Sequence, residues 1–433
     1  MTGPETTPPV RLLIVGAGGR GSTYADYTLA HPGEGVVVGV AEPDPVRRQA
    51  LADRHQIPAA NVYPDWQSAL AAPRFADAAV IATQDHMHVE PVEHAAAAGY
   101  HLLLEKPMAP DEAGCRRIVD SAERHGVMLA VCHVLRYTAY TQALKRVLDA
   151  GTIGEIVSVE HLEPVGYWHQ AHSFVRGHWR NEGQSSPMLL AKSCHDVDWM
   201  RYVVGLPCEQ ASSFGGLKHF RREAQPAGAA ERCLDCPPEV ENNCPYSAKR
   251  YYLTQLEEGH LGWPLNVLTP EPTQESVMQA LRDGPYGRCV YACDNDVVDH
   301  QVVNFQFEGG VTASFTMTAF AHARGRETRI FGTRGELYGD SQNIRVFDFL
   351  TNETSELDTD VASDGSILSG HGGGDDGLMQ AFLAAVQHGD PALILSGPQA
   401  SLESHLMVFA AENSRRSGEV TGGQQKLGIR PRS

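Results

Sequence analysis

A parallel, doubly wound α/β domain followed by a β-rich α+β domain is the fold class this sequence predicts, and three observations predict it. Apolar runs at 11–15, 36–41, 78–82, 101–104 and 128–132 alternate with helical segments such as 46–55 and 111–125, the pattern of a sheet with helices on both faces. After Gly154 the β-rich runs grow longer, at 156–162, 300–307, 311–319 and 328–332, as suits a large sheet with one face covered. The first run ends in Gly16-Ala17-Gly18-Gly19-Arg20-Gly21, placed where a strand turns into a helix.

That glycine loop carries the first chemistry. Gly16 permits the tight turn, Gly18 lets a pyrophosphate approach bare backbone, and Gly21 lets the helix lie close to the strand, with its positive end toward the phosphates. Gly19 and Arg20 complete the loop. The second strand ends in Glu42, where a carboxylate accepts both adenosine ribose hydroxyls and repels a ribose phosphate. NAD is therefore expected rather than NADP. Arg47 and Arg48 lie just beyond, on a helix face read as solvated. Thr83 and His88 follow the third parallel strand, at the carboxyl edge where the cofactor crosses, so both are expected to line its site.

The 433 residues allow two domains. Residues 1–10 read as a disordered lead, 11–150 as the dinucleotide domain and 151–433 as a substrate and oligomerisation domain. The latter carries a Cys-rich insertion at about 223–293, a loop at 355–374, and late helices at 377–387 and 399–417 that return to brace both domains. His371-Gly372-Gly373-Gly374-Asp375 reads as flexible enough to close over the crevice. The net charge of -18 argues against nucleic-acid or anionic-membrane partners. No run of eighteen apolar residues and no secretory start are found, so a cytoplasmic location is expected.

Three elements in order resemble the glucose-fructose oxidoreductase, inositol dehydrogenase and rhizopine-catabolism family, written Gfo/Idh/MocA. They are the glycine loop, Glu105-Lys106-Pro107 after the fourth strand, and the run Leu189-Leu190-Ala191-Lys192-Ser193-Cys194-His195-Asp196-Val197-Asp198. The resemblance implies a Rossmann domain, then a domain with a large, open, mostly antiparallel sheet, often used for homo-oligomer contacts, here a dimer or tetramer. It also implies that Lys106 contacts the nicotinamide ribose and the substrate hydroxyl, with Glu105 in the same motif, and that His195 sits beside the carbon that exchanges hydride. An imidazole that titrates near neutral pH suits removal of the hydroxyl proton. Family dehydrogenases commonly carry Asp four residues before the histidine. This chain has Ala191 there and Lys192 one residue later, so Lys192 is expected to hold a substrate oxygen or an anionic group.

The substrate implied is a small carbohydrate-like molecule, namely a sugar, sugar derivative or cyclitol. Arg136 and Tyr137 follow the fifth strand and are expected to face the crevice. Residues 163–180 concentrate rings and donors, and Tyr167, Trp168, His169, His172 and Arg176 are expected to line a sugar site, because ring C–H faces stack on aromatics while hydroxyls need fixed hydrogen bonds. Two other readings stay open. One is a redox-neutral NAD-dependent glycosidase, which oxidises, eliminates, hydrates and reduces; the other is a non-catalytic NAD-binding regulator, against which the presence of Lys106 and His195 counts.

Nine cysteines in such a chain argue for thiols or metal ligands rather than disulfides. Cys233, Cys236, Cys244 and Cys293, with Cys289 as the alternate fourth ligand, are expected to hold a structural zinc. A Cys-Pro step such as Cys244-Pro245 also occurs in iron–sulfur ligation, although nothing else in the chain resembles an electron-transfer protein. Unligated thiols buried in an irregular loop are an equal alternative.

Overall fold

The computed structural model describes residues 8–357, 359 and 370–427. Strands β1 (Val10–Val15), β2 (Gly35–Ala41), β3 (Val62–Tyr63), β4 (Ala78–Ile81), β5 (His101–Leu104) and β6 (Leu129–Val131) form an all-parallel sheet in the order 3-2-1-4-5-6. β4 and β6 are buried along their whole length, the burial that near-continuous apolar runs predict for a sheet covered on both faces. The order reverses between β1 and β4, which opens a crevice at their carboxyl ends.

The second sheet joins β7 (Ile156–Pro164), β8 (Cys208–Gly216), β9 (His300–Phe307), β10 (Thr312–Thr318), β11 (Glu327–Gly332), β12 (Gly335–Gly339), β13 (Ile344–Asp348), β14 (Glu353–Leu357) and β15 (Thr421–Leu427), in the order 14-13-12-11-7-10-9-8-15. Only β7 and β10 pair in parallel; every other pair is antiparallel. Burial along β9 and β10 alternates residue by residue, so one face packs on a core and the other is bare.

Four helices matter for the crevice. α1 (Gly19–Ala30) follows the glycine loop, and α2 (Cys194–Val204) follows the Ala191 turn. α3 (Gly370–His388) packs Leu378, Met379, Phe382 and Leu383 onto one face of the parallel sheet. α4 (Pro398–Ser417) places Leu402 and Leu406 in the core on the other face, and Met407, Val408, Ala410 and Ala411 in the core of the second domain. The chain after 150 thus sends α3 back onto the first sheet and α4 onto both cores. Residues 1–7 of the expected lead, and residues 358 and 360–369 of the expected loop, lie outside the described residues. The ends of that loop are instead regular, in β14 and α3, because Ser355 pairs with Val346 and Asp375 meets Arg20. Residues 372–375 fall within the span of α3, where Gly372 and Gly373 have φ +63° and +81°.

Residues 223–293 form the expected insertion between β8 and β9. It has a small core of its own around Ala248, Tyr252, Leu265, Val277 and Leu281.

Candidate active site

β1 delivers the glycine loop to the crevice. Gly16 has φ +95°, and a Cβ there would lie 2.5 Å from the Ala82 carbonyl oxygen; one on Gly21 would lie 1.9 Å from that of Gly16. Gly18 and Gly19 meet nothing within 4 Å, and α1 has no side-chain cap. Open glycine backbone before an uncapped helix start fits the pyrophosphate of a dinucleotide. Glu42 is buried at the loop's edge, where it accepts hydrogen bonds from Ala17 N at 2.7 Å and Asp44 N at 2.9 Å. Its carboxylate is therefore fixed where an adenosine ribose would sit. Thr83 is half-buried just beyond β4, its amide close to Gly16. Arg47 is exposed, whereas Arg48 donates to the Pro43 carbonyl at 3.2 Å.

Three expected cofactor residues turn out to brace this edge. Arg20 Nε donates to Glu105 Oε1 at 2.6 Å and its guanidinium also pairs with Asp375; Tyr24 Oη donates to the same Glu105 oxygen at 2.7 Å. Burial alone would raise the Glu105 carboxyl, but Arg20 and Lys106 hold it below the usual range. His88 is buried with Nδ1 2.9 Å from the Pro107 carbonyl and Nε2 3.2 Å from that of Thr83. Internal partners engage these side chains, while the Arg20 side chain keeps 34% of its surface exposed.

Lys106 leaves β5 and crosses toward the second domain, where Nζ donates to the Ala191 carbonyl at 3.0 Å. Ala191 ends the short helix Met188–Ala191, and His195, buried in the first turn of α2, follows four residues later. The rings of His195 and His133, the latter just past β6, approach edge-on at 6.2 Å. Burial pushes His133 down to about 3, so that ring stays neutral. Lys106 is thereby tied to the turn that ends four residues before His195.

Lys192 is paired, with Nζ 3.1 Å from Glu163 Oε1. The other Glu163 oxygen lies 3.0 Å from Arg326 Nε, and Arg326 also pairs with Asp196, which sits 3.1 Å from His161 Nε2. Burial works against the Asp196 carboxylate, but the Arg326 charge and the His161 hydrogen bond hold it well below the usual range. His169 is held well below its ordinary value by burial and then by Lys192, His172, Lys106 and Arg326. A neutral imidazole thus stands near three cations.

Of the aromatic residues expected at a sugar site, Tyr167, Trp168 and His169 remain at the rim. Trp168 stacks on Tyr251 with centroids 5.3 Å apart, and Trp263 approaches His169 at 5.1 Å. The rest are corrections. His172 is buried with Nδ1 2.7 Å from Tyr252 Oη and its ring stacked on Tyr286. Arg176 donates to the carbonyls of Arg288 at 2.8 Å and Tyr246 at 2.7 Å. Arg136 makes a buried bidentate pair with Asp198 at 2.7 and 2.6 Å, and Tyr137 Oη lies 2.8 Å from Ser396 Oγ. Each long polar side chain found a buried partner from a distant segment, and it serves packing. Sequence reasoning missed Arg326, Trp263, Tyr251 and His133. A Trp inside an otherwise polar, Pro-rich insertion was the one signal available for the second.

The structural zinc is also corrected. Among the described residues no three His, Cys, Asp or Glu side chains converge to hold a metal ion, and all nine cysteines are free thiols. Cys293 Sγ instead donates to the Cys289 carbonyl at 3.3 Å.

The chain belongs to the Gfo/Idh/MocA oxidoreductases: residues 10–133 match that family's NAD-binding Rossmann fold and residues 145–421 its C-terminal alpha/beta domain. It is 31% identical over 196 residues to an inositol 2-dehydrogenase of Streptomyces avermitilis, covering 45% of this chain and 53% of that one. Over 148 residues it is 26% identical to a 2,7-anhydro-N-acetylneuraminate hydratase of Mediterraneibacter gnavus, covering 34% and 38%. Levoglucosan dehydrogenase, solved with NADH and levoglucosan, shares the fold with a TM-score of 0.69 at 17% identity, covering 96% of this chain and all of that one. The chain spans about half or less of the two curated relatives. No helix among the described residues is long and apolar enough to cross a membrane.

Proposed function

We propose that this oxidoreductase takes hydride from a secondary carbon of a sugar, sugar derivative or cyclitol, with NAD as acceptor. The observation that carries the reading is Lys106 Nζ, 3.0 Å from the carbonyl of Ala191, at the turn that presents His195. Because Lys106 donates there to a neutral oxygen, its charge remains available to orient the substrate hydroxyl and stabilise developing alkoxide. His195 accepts the hydroxyl proton, while Glu163 and Lys192 meet neighbouring hydroxyls. Tyr167, Trp168 and Trp263 supply ring faces for the apolar side of the substrate. Bound NAD supplies the hydride acceptor. Glu42 favours NAD over NADP, which equal NADP affinity by calorimetry would refute.

Three observations favour a second reading. Ala191 stands where a carboxylate is usual, the crevice is rich in cations, and a relative is a hydratase; together these suit oxidation, elimination, hydration and reduction. The test follows NADH and leaving-group release together across sugars, cyclitols and glycosides. NADH in proportion to product is expected. Aglycone release without net NADH, with solvent deuterium entering beside the oxidised carbon, would favour the second reading.

The free state of all nine thiols suits the reducing cytoplasm. Phe214 and Val302, cross-strand neighbours on β8 and β9, are 68% and 40% exposed, which supports a homo-oligomer formed through the bare sheet face.

A further inference from the structure

The cysteines of the insertion do not scatter into an irregular loop. Cys233, Cys236, Cys244 and Cys289 line one cavity, together with Ala229, Val240, Val290 and Arg176. Its free volume of about 20 Å³ exceeds the roughly 10–15 Å³ that one water needs. Three chain segments are laced together to make it. Cys289 N donates to the Glu231 carbonyl at 2.9 Å, Arg232 bridges Arg288, and Arg176 reaches the carbonyls of Arg288 and Tyr246.

The sulfurs are met by donors. Cys233 Sγ accepts from Arg176 Nη2 and from Ala248 N, each at 3.5 Å. The Tyr246 amide bonds Cys244 and the Tyr291 amide bonds Cys289, each two residues beyond its cysteine. N–H donors stabilise thiolate over thiol, and hydrogen bonds to sulfur of this kind surround metal–thiolate centres. Arg176 is 3% exposed and brings a positive charge to a wall that also carries Glu241 and Ser247. Such a charge offsets the net negative charge of a four-thiolate centre.

What the site would hold follows from spread. One zinc draws four sulfurs to about 2.3 Å from a single point, and no three of these ligand types converge in that way. A cubane cluster separates its four thiolates further and fills the space between them. The pair Cys233-x-x-Cys236, the step Cys244-Pro245 and the remote Cys289 share the close pair, the Cys-Pro step and the distant cysteine seen among iron–sulfur ligand sets, with a longer interval before Cys244. We propose that Cys233, Cys236, Cys244 and Cys289 bind a [4Fe–4S] cluster that fastens the insertion. Trp263 and Tyr251, carried by the same insertion, are thereby held against Trp168 and His169 at the crevice. The role is positional, and no electron transfer step is assigned to it.

The test uses the full chain purified without oxygen, and the apo-protein reconstituted with ferrous iron and sulfide. About four iron and four acid-labile sulfide per chain are expected, with a broad visible absorbance that disappears on oxidation in chelator. Cys236→Ser and Cys289→Ser should lose both iron and colour, whereas Cys293→Ser, whose sulfur does not line the cavity, should keep them. Zinc in place of iron, iron without sulfide, a stable protein that takes up neither, or colour that survives both Cys236→Ser and Cys289→Ser would overturn the proposal. Iron and sulfide content of the unmodified chain decides the matter even if a variant fails to fold.

Discussion

The glycine loop at 16–21 and the wall facing it at 163–180 differ in what determines them. In the loop, function is a property of backbone: a Cβ on Gly16 or Gly21 collides with a carbonyl, while Gly18 and Gly19 meet empty space. In the wall, function is a property of partners. Side chains of similar type point to unlike ends, since His169 stays at the crevice while His172 is claimed by Tyr252 and Tyr286. Steric demands are local and can be read from residue order; partnership is set by segments remote in sequence.

The largest test asks whether the two sides meet in chemistry. Lys106→Ala and His195→Ala, one from each side, should each lower kcat by about a hundredfold to ten-thousandfold while NAD affinity, followed by fluorescence titration, stays within a few-fold. Near-normal turnover in either variant would remove that residue from the reaction.

A second test separates substrate residues from buried joints. Arg136→Met leaves Asp198 buried and unpaired, a loss of about 3–5 kcal/mol of stability, readable in denaturant midpoints. KM of whatever enzyme remains should not change. Trp168→Ala should do the reverse, raising KM at little cost in stability. If Arg136→Met raises KM and melts normally, the sequence-based reading of Arg136 as a substrate residue is restored.

Within the loop, Gly21→Ala and Gly18→Ala should part company. The first places a methyl 1.9 Å from a carbonyl oxygen and should cost both stability and NAD binding, on the order of 2 kcal/mol or more. The second meets nothing in the protein and should weaken NAD binding alone. Equal melting temperatures for the two would break the claim that Gly21 is a packing requirement.

Acid sensitivity is a cumulative effect of several buried rings. Burial pushes His172 in the wall down to about 3, and likewise His133 to about 3 and His405 to about 4 at the joint. Their folded values lie below the unfolded 6.5, so their stabilisation is full above pH 6.5 and is lost as pH falls through about 4 for His405 and about 3 for His133 and His172. Each contributes a slope of roughly 1.4 kcal/mol per pH unit. Urea melts at pH 7, 6 and 5 should show that decline, and His172→Gln should flatten it.

This contrast also explains what could be read from residue order. β5, β9 and the glycine loop were legible because each follows from periodicity or a steric rule, while Glu42, Lys106 and His195 could be named as candidates from short motifs. Arg136, Arg176 and His88 were misplaced because their guanidinium and imidazole groups look alike whether they meet a sugar or a buried carbonyl. Arg326 was invisible, since its partners Glu163 and Asp196 are far away in sequence and only the fold brings them together. The thiols could be read as a group, but spacing does not report where side chains point, and among the described residues no three of them converge on one ion.

Helix α4 has a consequence for how this enzyme melts. Successive turns of one helix are buried in both domain cores, so neither core can come apart without stripping the other. The chain should therefore behave as one cooperative unit, with a single endotherm in calorimetry. Dinucleotide bound to the first domain would then protect amides of the distant antiparallel sheet from exchange with solvent, by linkage through the shared native state.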